Sequence, residues 1–194
     1  MEQFHDRTER EVLRASLPEG GVFLDVGANA GFYTFWVLAQ CRNSRVLAVE
    51  PSRVMLDRLT FNLKLNELES RVRLFGCAAT STLREVAIIQ GTENLGQTKA
   101  LDGGAGERVS GRPLLDILTE DGTSRLDAMK IDIEGFESEV LASFFSTAPV
   151  TLWPKLVIGE VVGGDGALKN LLSRYGYTLS CVTRINGVFV LKSK

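Results

Sequence analysis

Phe23-Leu24-Asp25-Val26-Gly27-Ala28-Asn29-Ala30-Gly31-Phe32-Tyr33-Thr34 is the stretch that decides the fold. A short apolar run stops at an acid and breaks into a small-residue turn, which predicts a first strand feeding a ligand-binding loop. A loop poor in side chains lets backbone N–H groups come close to a ligand, and the helix after it aims its positive end at the same point. Gly27-x-x-x-Gly31 lacks the G-x-G-x-x-G spacing of a dinucleotide fingerprint, and no G-K-[ST] accompanies it, so a pyrophosphate cradle is disfavoured. Taken alone, the loop also suits a plain structural turn.

Working outward, residues 22–26 form the strand, and a helix from about 31 to 40 carries Phe32, Phe35, Trp36 and Ala39. Upstream, Thr8-Glu9-Arg10-Glu11 has the form of a capping box, with Val12, Leu13 and Leu17 on the apolar side of a short helix over about 8–17. Downstream, residues 45–50 are a second apolar run ending in an acid. Pro51-Ser52 then opens a helix with Leu56, Leu59 and Leu63 at helical spacing. Residues 72–77 are a third strand. The alternation then fails over about 81–112, an irregular insertion with one strand at 85–90. The tract at 91–106, rich in Gly, Thr, Asn and Gln, is either a lid or a solvent loop.

Pro113 suits the first turn of a helix through Leu118, and residues 128–133 are a fourth strand, again ending in acids. Phe136, Val140, Leu141, Phe144 and Phe145 give the next helix an apolar stripe, and 156–161 are a fifth strand. Gly163-Gly164-Asp165-Gly166 turns the chain into a helix that Gly176 caps. The runs 177–183 and 188–192 flank Arg184-Ile185-Asn186-Gly187, whose Asn-Gly pair predicts a hairpin and an antiparallel last strand. Strands alternating with helices give a doubly wound parallel sheet whose ligands bind beyond the carboxyl ends of the strands.

A chain of 194 residues with 44% hydrophobic composition fits a single α/β domain. Lys and Arg total 22 against 24 for Asp and Glu, so no basic surplus points to nucleic acid or to an anionic membrane. With no signal-peptide pattern and no membrane-length apolar run, the chain reads as soluble and cytoplasmic. Cys41, Cys77 and Cys181 are odd in number and widely spaced, against a disulfide framework or a zinc site. His5 is the only histidine, which nearly excludes triads and histidine-based metal sites.

Glu50 lies 19 residues beyond Gly31 at the end of the adjacent strand, where an acid can accept both hydroxyls of a ribose. An ordinary strand-end carboxylate is the alternative. In Lys130-Ile131-Asp132-Ile133-Glu134-Gly135-Phe136-Glu137, period-two alternation puts Lys130, Asp132 and Glu134 on one side. An isolated buried charge is costly, so Lys130 is expected to pair with a carboxylate, Asp132 or Glu160.

These motifs, with Val49-Glu50-Pro51-Ser52 and Asn62-Leu63-Lys64-Leu65-Asn66, resemble in order and separation the FkbM family of S-adenosylmethionine-dependent methyltransferases. The resemblance runs from about residue 20 to 160. It implies the Rossmann-like class I methyltransferase fold: seven strands in the order 3-2-1-4-5-7-6, the last antiparallel. By the same resemblance, Asp25, Gly27, Asn29, Gly31 and Thr34 would hold the methionine moiety and Glu50 the ribose hydroxyls, with Ala28 and Tyr33 also in the cofactor site. Pro51 and Ser52 would flank the adenosine, with Cys77 and Ala78 along the adenine. A lone cysteine is more often a small buried hydrophobe, which is the stronger reading of Cys77.

Methyl transfer from a sulfonium, leaving S-adenosylhomocysteine, needs alignment and exclusion of water. For a hydroxyl acceptor on a sugar or other small molecule, a carboxylate is the plentiful base. Asp132 and Glu134 come first and Glu160 next, with Asp132 also placed to position the cofactor. These carboxylates would also suit Mg²⁺ or Ca²⁺, but nothing fixes an octahedral set, so no metal is expected. The competing readings are a non-catalytic cofactor-binding module and a nicotinamide-dependent oxidoreductase. Acceptor identity and oligomeric state are left open.

Overall fold

The structure, a computed structural model, describes residues 7–90, 98–101, 106–161 and 166–192. It opens with α1 (Arg7–Ser16), then β1 (Val22–Val26), α2 (Phe32–Gln40), β2 (Arg45–Val49), α3 (Arg53–Leu65) and β3 (Val72–Phe75). Four strands follow: β4 (Ala78–Ala79), β5 (Arg84–Gln90), β6 (Thr98–Leu101) and β7 (Glu107–Arg112). The remainder is α4 (Leu114–Asp121), β8 (Ala128–Ile131), α5 (Glu137–Thr147), β9 (Leu156–Glu160), α6 (Ala167–Arg174), β10 (Tyr177–Val182) and β11 (Asn186–Leu191).

The main sheet has seven strands in the order β10-β11-β9-β8-β1-β2-β3. Only β11 runs antiparallel to its neighbours, which is the class I methyltransferase topology. Side chains alternate across the sheet, so each strand feeds two cores. Leu24, Leu47, Met129 and Val157 pack on α4, α5 and α6 through Ile117, Leu141, Phe144 and Leu172. Phe23, Val46, Ala128, Ile158 and Val188 pack on the other side against Leu13, Val37 and Leu59 of α1, α2 and α3. Phe23 and Ala128 are succeeded two residues later, on the same face, by Asp25 and Lys130, so the second core ends in charge at the carboxyl edge.

Several local expectations change. The chain leaves the main sheet after Phe75, and Ala78 and Ala79 pair with Gly111 and Arg112. A four-stranded sheet, β4-β7-β5-β6, therefore occupies much of the stretch read as an irregular insertion. The lid question falls mostly on 91–97 and 102–105, outside the described residues, as do His5 and the turn residues 163–165. Thr8 is the second residue of α1, and Glu11 pairs with Arg7 at 2.8 Å instead of closing a capping box. The buried stripe of α2 is Tyr33, Thr34, Val37 and Leu38, while Phe32 is 54% exposed.

In the terminal hairpin, Arg184 and Ile185 form the turn, closed by Thr183 N–H donating to the Asn186 carbonyl at 2.8 Å. Asn186 is the first residue of β11, not the turn. It is 3% exposed, and its Nδ2 donates to Oε1 of the fully buried Glu9 at 3.2 Å. A carboxylate in the core needs a donor, and the Asn186 amide at the start of β11 supplies one.

Candidate functional site

Asp25 is the penultimate residue of β1 and is 1% exposed. Its Oδ2 accepts both the backbone N–H of Thr34 at 3.1 Å and the Thr34 hydroxyl at 2.7 Å. The positive end of α2 is thus met by a carboxylate of the chain itself. Burial pushes the Asp25 carboxyl above the usual carboxylate range, opposed by the Lys130 ammonium and the bonds from Thr34.

The loop that follows differs from the sequence expectation in its chemistry. The Gly27 and Ala28 N–H groups both donate to the Val49 carbonyl, at 2.9 and 3.1 Å. Asn29 N–H donates to Glu50 Oε2 at 2.8 Å, Ala30 N–H to Asn29 Oδ1 at 2.6 Å, and Gly31 N–H to the Ala28 carbonyl at 2.9 Å. Five successive donors are therefore engaged within the protein, and the loop presents no row of free N–H groups to an anion. Gly27 is needed for space: at φ 77°, a Cβ there would lie 2.0 Å from the Asp132 carbonyl oxygen.

Glu50, 4% exposed, receives Ser52 N–H on Oε1 at 2.8 Å while Oε2 receives Asn29 N–H. Each carboxylate oxygen keeps one further lone pair, enough for two hydroxyls on a ligand. Burial raises its pKa, and the two backbone N–H groups oppose the rise. Ser52 also caps α3, accepting the Met55 N–H at 3.4 Å.

On β8, Lys130 Nζ sits 2.9 Å from Asp132 Oδ2 and 4.9 Å from the centre of the Tyr33 ring. The expected partner of the buried lysine is therefore Asp132. Glu134 at φ 58° and Gly135 at φ 105° turn the chain sharply. Glu137 fixes this turn, accepting Ile133 N–H at 2.8 Å and Gly135 N–H at 3.1 Å. Its place two residues after the glycine was the available signal, and the sequence reading gave it no role. Carboxylate oxygens of Asp132, Glu137 and Glu160 lie within 4.8 Å of one another. Desolvation first, then the charges of Asp132, Glu137 and Glu134, raise the pKa of Glu160, against Lys130. By chemistry this trio would suit a hard cation, yet Glu137 is already engaged by backbone donors.

A cavity of about 410 Å³ opens at this edge of the sheet, within the usual size of small-molecule sites. Asp25, Gly27, Ala28, Asn29, Tyr33, Glu50, Pro51 and Ala78 line one part of it, and Asp132 and Glu134 another. Gly31, Thr34, Ser52 and Glu160 stand outside the lining. The first three support residues that do line it: Gly31 precedes α2, Thr34 binds Asp25, and Ser52 binds Glu50. Cys77 belongs to the core under α4, and burial pushes its thiol up to about 11. Phe32, Phe136, Ile185 and Asn186 line the cavity without having been singled out as ligand contacts.

The charged residues of the lining are Asp25, Glu50, Asp132 and Glu134 against Lys130 alone. Such a site repels a pyrophosphate and suits a cationic nucleoside, so the donor set fits S-adenosylmethionine better than a nicotinamide dinucleotide.

The Methyltransferase FkbM domain matches residues 25–179, spanning the loop, Glu50 and the β8 turn. The chain belongs to the FkbM methyltransferase family. Methyltransferase sdnD of Sordaria araneosa is 28% identical over 66% of this chain and 61% of its own length. The 31-O-demethyl-FK506 methyltransferase FkbM of Streptomyces tacrolimicus is 27% identical over 89% of this chain and 79% of its own. The chain thus spans under two thirds of sdnD. The solved Methyltransferase FkbM from Methylobacillus flagellatus KT superposes with a TM-score of 0.59 at 18% identity, covering 94% of this chain and 50% of that one, which shows the shared fold.

Proposed function

We propose that this FkbM-family chain is an S-adenosylmethionine-dependent methyltransferase acting on a hydroxyl of a sugar or another small molecule. The observation that carries the reading is the character of the cavity: four carboxylates to one lysine, around a loop whose N–H groups are already bonded inward. A sulfonium nucleoside suits these surroundings and a dinucleotide does not. The O-methylation named for the Streptomyces relative supports the acceptor class. The acidic lining also disfavours nucleic acid as acceptor. No described helix is long and apolar enough to cross a membrane.

When bound, the cofactor would supply an electrophilic methyl group on sulfur. The residues of the chain do the rest. The unshared lone pairs of Glu50 would accept the ribose hydroxyls, and Pro51 and Ala78 of the lining would border the adenosine end. The Asp25 loop and Tyr33 would surround the methionine end, with Asp25 held in place by the Thr34 hydroxyl. Asp132 and Glu134 are the lining carboxylates that follow β8, and either would take the proton of an acceptor hydroxyl. Glu160 stands outside the lining, with a carboxylate oxygen within 4.8 Å of one of Asp132, and is the next candidate base. Phe32, Phe136 and Ile185 exclude water around the acceptor.

Calorimetry with S-adenosylmethionine, S-adenosylhomocysteine and NAD tests the cofactor: the first two bind and NAD does not. A screen of hydroxylated metabolites for S-adenosylhomocysteine release then tests catalysis. Binding without turnover of any acceptor would leave a cofactor-binding module, and preferential NAD binding would overturn the proposal.

A further inference from the structure

Lys130 is the one basic residue among the described residues lining the cavity. It is 6% exposed, and three elements shape its surroundings. On β1 its register neighbour is Asp25, while on β9 it is the apolar Ile158. The Tyr33 ring of α2 lies 4.9 Å from Nζ, and Asp132 closes the ion pair at 2.9 Å. Glu160 on β9 and Asp25 both feel its charge. A single cation is thus set beside Asp25 and Asp132 in the lining, with Glu160 outside it but within reach of its charge.

Resting on the cofactor reading above, we propose that Lys130 sets the charge of the cavity floor, and thereby how strongly the site favours a sulfonium cofactor over its thioether product. The two ligands differ by one methyl group and one positive charge. An uncompensated set of acids would hold the cation tightly and the neutral product loosely. Lys130 offsets part of that field, so the substrate form of the cofactor is not bound at the expense of turnover. A purely structural lysine would change both affinities together, because the two molecules share every other group.

The test is titration calorimetry with S-adenosylmethionine and S-adenosylhomocysteine on wild type, Lys130→Met, Lys130→Arg, Asp132→Asn and the double variant Lys130→Met/Asp132→Asn. Loss of the cation raises the ratio of sulfonium to thioether affinity about fivefold or more, the scale of one unit charge acting across a part-buried site. Lys130→Arg stays within about twofold of wild type. Asp132→Asn lowers the ratio, and adding Lys130→Met to it restores the wild-type value, which keeps the proposal testable if Lys130→Met alone does not fold. A Lys130→Met protein that loses both affinities equally, or a double variant no different from Asp132→Asn, would overturn it. Failure of wild type to bind either ligand would instead overturn the cofactor reading itself.

Discussion

Glu50 receives a backbone N–H on each carboxylate oxygen, from Ser52 and from Asn29, which ties the loop after β1 to the start of α3. Glu50→Gln sets an amide NH₂ against one of these donors. It should cost about 1–3 kcal/mol of stability, the usual penalty for an unsatisfied buried group. It should also weaken S-adenosylmethionine binding more than about tenfold, since one ribose acceptor becomes a donor. Urea unfolding and calorimetry on the same preparation check both. Asp25 supplies a pH signature. Its carboxyl is raised by burial, so folding takes up a proton, and its contribution is complete below the unfolded value of about 4 and lost as pH rises through the folded value. The stability of wild type relative to Asp25→Asn should therefore fall as pH is raised from about 4 and then level off. A difference that grows with pH would contradict this.

Between elements, the tightest join is where the loop after β1 passes the end of β8. Gly27→Ala places a methyl group 2.0 Å from the Asp132 carbonyl oxygen at a positive φ. Backbone strain alone costs about 1–3 kcal/mol, and displacement of the β8 turn adds to it. Expected are a lower unfolding midpoint and a lost or much weakened cofactor signal; a variant that binds as wild type would show that the two segments can part freely. The same join explains what could be read from sequence. Asp25, Glu50 and Asp132 each end an apolar run, so the strands and their acids announce themselves together. Glu9 and Asn186 did not, because their contact spans 177 residues and depends on α1 crossing the sheet. Nor did β7, which buries only Gly111 among its six residues and so shows no alternation, nor the departure of the chain from the main sheet after Phe75.

Across the whole molecule, the seven-stranded sheet separates two cores, and β11 serves both, with Val188 on one side and Phe189 on the other, each fully buried. Phe189→Ala should destabilise the protein by about 3–5 kcal/mol, the range for truncating a buried aromatic. The expected reading is a lower urea midpoint with an unchanged slope; a loss under about 1 kcal/mol would mean that the core closes around the gap. β11 also lies between β9 and β10, both of which come earlier in the chain. During synthesis, β9 therefore waits with one edge bare until residues 186–191 have left the ribosome, and β10 waits with it. A nascent chain paused before that point carries an open strand edge that can recruit another copy.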